Sequence, residues 1–303
     1  WDALSDLIVR HKKFADTDWA LPEELCLRLS RILDLIAPSS AQRRYQRLFT
    51  ENDFFLIEEI ESYEPSLEKV ELIRRDAVKE IFDKQGVDAV VDFSRSVRSS
   101  WRVGLSLGSL ALDTDGRVLS SLLNAQEKTL RQFAGGYILG RFRSRGWAWV
   151  DGLDLSGWEV DQKGQFFSYL PFVVDTWNRV AVLLADQGAA YWSRANVNPY
   201  EEKKELSTGI DRLIEFERPA SAIECLSVML YQNQPINQDQ AFAALQLLVE
   251  GKEEQSRRDA HAITNIIAAL QKNPGTDQDK LLRVEWRYLS LLDGHHGPAP
   301  KTL

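Results

Sequence analysis

The chain has 303 residues, 44% of them apolar and 27% charged, a balance suited to an ordered chain forming one elongated array or two compact domains. Its net charge of −8 argues against attraction of the whole molecule to nucleic acid or an anionic membrane, and leaves such roles only to local patches. There is no apolar run of roughly 18 residues and no basic segment leading into an apolar core, so no membrane contact is expected and the chain reads as cytoplasmic.

Trp1, Leu4, Leu7 and Ile8 have helical spacing and predict a helix over Trp1 to Phe14. A second helix follows, with Thr17 or Asp18 as cap, Pro22 and Glu23–Glu24 in its first turn, and Leu25, Leu29, Ile32, Leu33 and Ile36 as its buried face. Ala41 to Phe49 and Asp53 to Ile60 read as two short helices. Pro65 opens a longer one over Ser66 to Lys84, closed by Gly86, and Val87 to Val97 answers it as a hairpin partner. From Trp101 the pattern loosens at Gly104, Gly108, Asp113 to Gly116, and Gly135, Gly136 and Gly140, although Val118 to Leu123 and Leu130 to Phe142 keep a helical period. Asp151 to Gly164, glycine-rich and acidic, is the expected boundary between an N-terminal array (1–150) and a C-terminal one (165–303). Beyond it come Phe166 to Leu170, a stripe at Trp177, Val180, Leu183 and Leu184, and Ala189 to Trp192. Further helices follow over Gln238 to Val249, Asp259 to Leu270 and Asp277 to Leu292.

The clearest unit is Glu205 to Gln232. Leu206, Ile210, Leu213 and Ile214 make one apolar stripe; Pro219 ends that run and suits the first turn of the next. Ala222, Ile223, Leu226, Met229 and Leu230 make the second stripe, and the small Gly209, Ala220 and Ala222 allow close approach. This is an αα-hairpin, and neither helix buries its face alone. Helices arrive in pairs at roughly 30 to 40 residues per pair, the spacing of a helical solenoid. The closing part, from Gly164 to Leu292, resembles the tetratricopeptide (TPR) and HEAT families of repeats, although the tetratricopeptide order of Trp, Leu-Gly, Tyr, Ala, Phe and Pro is not intact in any unit. Irregular solenoids of this kind also look like the tails of large bacterial multidomain proteins. The resemblance implies an all-α fold, an irregular α-solenoid of helical hairpins, and a binding scaffold with no chemistry of its own. The only methionine is Met229, and the chain opens inside a helical pattern, so it reads as a piece of a longer protein.

Signals for chemistry are sparse. No G-x-x-x-x-G-K-[ST] occurs, and Gly104 to Gly108 and Gly135 to Gly140 do not follow a strand; glycines at this spacing suit close helix packing. Asp113 to Gly116 resembles the middle of a calcium loop, but Ala111 and Leu122 stand where ligands belong, so it reads as a turn. His11, His261, His295 and His296 lie in no metal-ligand spacing, no HExxH or CxxC occurs, and no G-x-S-x-G frames a serine, so no metal and no cofactor is expected. Cys26 and Cys225 read as buried reduced thiols. The acidic run at Glu58, Glu59, Glu61 and Glu64 reads as a solvated face. Trp177 and Trp192 read as core, whereas Trp147, Trp149 and Trp158 flank the glycine-rich region and could line a groove.

One asymmetry remains. Glu51 to Asp92 carries thirteen acids against five bases, and Arg95 to Trp147 carries nine bases against three acids. The simplest reading packs the basic stretch against its acidic neighbour. The functional reading takes Arg95, Arg98, Arg102, Arg141, Arg145, Trp147 and Trp149 as a surface for a protein partner or for other domains of the same chain. Nucleic acid or a nucleotide is the alternative ligand, because arginine with interleaved aromatics suits phosphate pairing and base stacking. An enzyme using paired carboxylates is a third reading.

Overall fold

A computed structural model of the chain describes residues 1–49, 63–202, 204–250 and 257–289, and among these there is no β-strand. The expected helix at 53–60, the carboxylates Glu58, Glu59 and Glu61, and the histidines His295 and His296 lie outside the described residues. Two compact units divide the chain between Asp154 and Leu155. The first contains α1 (Asp2–Lys13), α2 (Glu23–Leu35), α3 (Ala41–Tyr45) with a 3-10 turn over Gln46–Phe49, α4 (Tyr63–Ser96), α5 (Ser100–Ser109), α6 (Asp115–Ser121) and α7 (Lys128–Asp151). The second contains α8 (Val160–Phe167), α9 (Val174–Leu184), α10 (Ala189–Trp192), α11 (Leu206–Glu215), α12 (Pro219–Tyr231), α13 (Gln238–Glu250), α14 (Arg257–Lys272) and α15 (Gln278–Arg287).

In the first unit, α4 breaks at Gly86 (φ 79°, ψ −175°) and α7 breaks at Gly146 (φ 61°, ψ −157°). Both conformations belong to glycine, because a Cβ there meets the backbone on either side. The stretch read as loose is the tightest contact in the unit. A Cβ on Gly104 would stand 1.9 Å from the Phe133 carbonyl oxygen, and one on Gly108 2.2 Å from that of Tyr137. Reciprocally, a Cβ on Gly136 would stand 2.0 Å from the Trp101 oxygen, and one on Gly140 2.2 Å from that of Leu105. Two G-x-x-x-G faces therefore interlock, each glycine admitting a carbonyl of the other helix. The partner numbers rise together along both chains, so α5 and α7 run parallel. They are not the two arms of a hairpin; the crossover over residues 110–127, with α6 inside it, carries the chain back. Val103, Leu107, Phe133, Ala134, Tyr137 and Ile138 are buried along this pair.

The second unit is built as its stripes predict at α11 and α12. Leu206, Ile210, Leu213, Ala222, Ile223, Leu226 and Met229 are buried. Gly209 lies so close to Trp177 that a Cβ would come within 2.7 Å of the indole. Trp177 and Trp192 are core, with Phe172 edge-on to both at 4.8 and 6.1 Å. Tyr191 joins them at 5.0 Å from Trp192. Beyond this cluster α11 packs on α12 and α13, α12 on α13 and α14, and α13 on α15.

α2 departs from expectation. Its side-chain cap is absent, since Pro22 stands at the N-cap position. Of the face expected to be buried, Leu25, Ile32 and Ile36 are 40, 47 and 52% exposed, Leu29 and Leu33 are half-buried, and Cys26 alone is buried. The 3.6-residue period is there and α2 packs on α1, but much of the stripe is left exposed.

Candidate functional site

The seven residues singled out by charge and aromatic content do not form one surface. Arg141 is fully buried and Trp149 nearly so. Position 141 extends the stripe Ala134, Tyr137, Ile138, so helical period already placed it inward. Its guanidinium spends its donors on the crossover: Nε donates to Asp115 Oδ1 at 2.9 Å, Nη1 to the Leu110 carbonyl, and Nη2 to the Leu112 carbonyl and to Tyr137 Oη. Trp149 Nε1 donates to the other Asp115 oxygen at 2.9 Å, and the Tyr137 hydroxyl also donates to Asp115. Thr114 Oγ1 and Tyr137 Oη lie 2.9 Å apart. Burial pushes the Asp115 carboxyl up, but the hydrogen bonds from Tyr137 and Trp149 and the Arg141 charge outweigh it and hold the group below its ordinary range. Burial, reinforced by Asp115, pushes the Tyr137 phenol well up. Asp115 is thus an internal acceptor, which is also what becomes of the calcium-like turn. Arg141 and Trp149 leave the candidate surface because their polar atoms are engaged inside it.

Most of the other five are engaged too. Arg95 pairs with Asp92 at 2.7 Å and with Glu127 at 3.1 Å; Arg102 stands 3.7 Å from Glu71. Arg117 pairs with Asp88 at 2.9 Å, and this contact with those of Arg95 to Asp92 and Arg102 to Glu71 joins the basic segment to the acidic one, whereas Arg95 to Glu127 stays within the basic segment. Trp147 packs edge-on against Phe142 at 4.8 Å, and Trp158, in the second unit, against Phe166 at 5.5 Å. Arg98 and Arg145 are exposed.

Three other features are open to a ligand. The first is the apolar stripe of α2 described above; Phe14 and Trp19, in the link between α1 and α2, are exposed too, with their rings 5.5 Å apart. Periodicity found the α2 stripe but assigned it to the interior. The second is a groove of about 500 Å³ between α12 and α14, walled by Tyr200, Tyr231, His261 and Lys272 over a floor of Ala268 and Ala269. The third, about 330 Å³, lies between α13 and α15. Phe242, Leu245, Val284 and Tyr288 form its floor and Lys280, Arg283 and Arg287 its rim. Nothing in the sequence reading pointed to either groove, since each needs two helices from different hairpins. Among the described residues no helix is long and apolar enough to cross a membrane, and no group of three His, Cys, Asp or Glu side chains is placed to hold a metal ion. Cys26 and Cys225 are buried and unpaired, and burial pushes the Cys225 thiol well above its ordinary range. Comparison with protein-family models, with curated proteins and with solved structures found no match for this chain.

Proposed function

We propose that the chain is a non-catalytic helical scaffold, and that it docks a protein partner bearing an amphipathic helix onto the α1–α2 pair. The exposed stripe of α2 carries this reading. Leu25, Ile32 and Ile36 recur at the spacing of one helix face, and contiguous apolar surface of that kind marks a site of association in a folded chain. The arrangement in the second unit supports the scaffold part of the reading. Contacts of α11 with α13 and of α13 with α15 make one row, and α12 with α14 another, which is compatible with an irregular solenoid of the tetratricopeptide or HEAT kind.

The test has two arms. A photoreactive phenylalanine analogue at Ile32 is expected to cross-link one partner in cells, and the same analogue at the exposed Asp34, half a helical turn away, is expected to give none. The variant Leu25→Glu/Ile32→Glu/Ile36→Glu should lose that partner while keeping its melting temperature, because exposed substitutions cost within about 0.5 kcal/mol each. A large fall in melting temperature would place the stripe inside the fold and end the proposal, as would equal cross-linking from both positions.

A further inference from the structure

We propose that the α12–α14 groove is a second binding site, taking an extended proline-rich peptide segment of a protein partner, with an acidic residue beside its prolines. The inference is independent of the α1–α2 face. It starts from the tyrosines. Among the described residues Tyr137, Tyr191 and Tyr288 are buried, Tyr45 and Tyr169 are half-buried, and Tyr200 and Tyr231 are exposed, at 58 and 80%. Those two come from different elements, Tyr200 from the link between α10 and α11 and Tyr231 from the last residue of α12, yet both line this one groove. Neither packs against another aromatic ring among the described residues, so both keep a ring face for a ligand. Tyrosine presents a large rigid apolar face with a polar tip, which suits it to carry binding energy.

α14 supplies a second wall and the floor. His261, Asn265, Ala268, Ala269 and Lys272 fall at i, i+4, i+7, i+8 and i+11, one face of the helix. The two alanines keep the floor shallow, so a peptide backbone can lie close to the helix in a groove of about 500 Å³. Asn265 Nδ2 and His261 Nε2 lie 3.1 Å apart, and with the Ser227 hydroxyl they set hydrogen-bonding groups along the groove. Lys272 is exposed and makes no ion pair among the described residues, and no carboxylate stands among the residues that line the groove. One uncompensated positive charge therefore faces the ligand.

The lining selects among the ways a folded surface holds a peptide. The described residues include no strand whose edge a peptide could extend. No arginine lines the groove to hold a phosphate, and an alanine floor is too shallow for the row of large anchors that an amphipathic helix inserts. A polyproline-type segment fits what is there. Its pyrrolidine rings pack on tyrosine faces, and its carbonyls have no internal partners, so they accept from side-chain donors such as the Asn265 amide and the Ser227 hydroxyl. Such a segment is ordered before it binds, which lowers the entropy lost. Lys272 then pairs with a carboxylate flanking the prolines. Nucleic acid would stack on the same rings, but its phosphates call for several cations, and one lysine on a chain of net charge −8 does not supply them.

The probe is a fluorescein-labelled peptide of two Pro-Pro-Leu-Pro-Pro-Glu repeats, measured by polarisation against the full chain, with half-saturation expected below about 1 mM. Tyr231→Ala should weaken binding by about tenfold or more, whereas Tyr231→Phe, which keeps the ring, should stay within about threefold of the parent. A peptide with Ala at every Pro should also lose about tenfold. Replacing both Glu by Gln should weaken binding to the parent by about threefold and leave binding to Lys272→Ala unchanged. These positions are exposed, so the variants should keep the parent melting temperature; if Tyr231→Ala lowers it, Tyr200→Ala carries the same expectation. No half-saturation by 1 mM, equal binding of the Ala peptide, full binding to the tyrosine variants, an equal effect of Gln with and without Lys272, or tighter binding of a labelled oligothymidine would each overturn the proposal. The α2 triple variant serves as a control whose affinity for the probe should not change, so the two sites fail or stand separately.

Discussion

Gly104→Ala is the sharpest test of the parallel α5–α7 pair. The added methyl would sit 1.9 Å from the Phe133 carbonyl oxygen and 2.8 Å from its carbon, and both are backbone atoms that no rotamer change can remove. An ordinary carbon–oxygen contact needs about 3.3 Å, so the helices must part by about 1.4 Å. A gap of about 1 Å already forfeits about half of each dispersion contact, so one of this size forfeits more. The contacts concerned are those of Val103, Leu107, Phe133 and Tyr137, all fully buried. Overpacking of this kind typically costs about 1–3 kcal/mol and sometimes more, with the better helix propensity of alanine returning about 1 kcal/mol. With the steric cost at the upper end of that range, a net loss of about 2 kcal/mol is expected, which lowers the melting temperature of a unit this size by about 4–8 °C. Thermal and urea unfolding followed by far-UV circular dichroism measure it. Gly116→Ala in α6 is the matched control, because its Cβ would meet nothing within 4 Å. It should be neutral or stabilising by up to about 1 kcal/mol. If Gly104→Ala behaves like Gly116→Ala, the two helices are not in backbone contact and their parallel assignment fails.

Two further outcomes follow from the first unit. Arg141→Met leaves Asp115 without its buried cation and the Leu110 and Leu112 carbonyls without their donor, and should destabilise by about 3–5 kcal/mol in urea titration. Arg141→Lys should not restore it, because an ammonium lacks the planar fork that reaches three acceptors in different directions. Acid stability should also report Glu80, whose carboxyl is lowered from 4.5 to about 2 by the hydrogen bonds from Lys84 and Tyr45 and the charge of Arg44, against the opposing effect of burial. A depressed carboxyl contributes above its unfolded value and loses that contribution as pH falls, here from 4.5 toward 2. Glu80→Gln should flatten the fall in unfolding free energy across that window, and an unchanged slope would show that the group is not linked to folding.

Helical period made most elements legible, and Pro and Gly marked their ends. It could not say what covers a stripe. At α11 and α12 the stripes face each other and the expected interior is the observed one, whereas the equally regular stripe of α2 faces outward. Gly104, Gly108, Gly136 and Gly140 carried a readable spacing, but the pairing depends on a crossover returning the chain in parallel, and local sequence does not encode that. Arg141 was misassigned for a related reason. Composition counts it among nine bases, while its partner Asp115 lies 26 residues away and its other acceptors are backbone atoms, which a sequence does not distinguish. The two grooves of the second unit each join residues from two hairpins, so no single stretch announces them.

The glycine contact and the buried arginine solve two parts of one problem. A hairpin satisfies its turn with a few local hydrogen bonds, but a parallel pair needs a long return segment whose carbonyls face the helices it crosses. Four glycines at the contact bring α5 and α7 close together, and the carbonyls of Leu110 and Leu112, at the start of the crossover, face Arg141 of α7. Arg141, adjacent to the last of the four glycines, reaches those carbonyls, and its charge then requires a buried anion. Asp115 supplies it at the first position of α6, where a carboxylate also favours the positive end of the helix. The charge that looked like a ligand-binding signal is thus a consequence of packing two glycine faces in parallel, which is why binding is better sought at exposed apolar surface such as the stripe of α2.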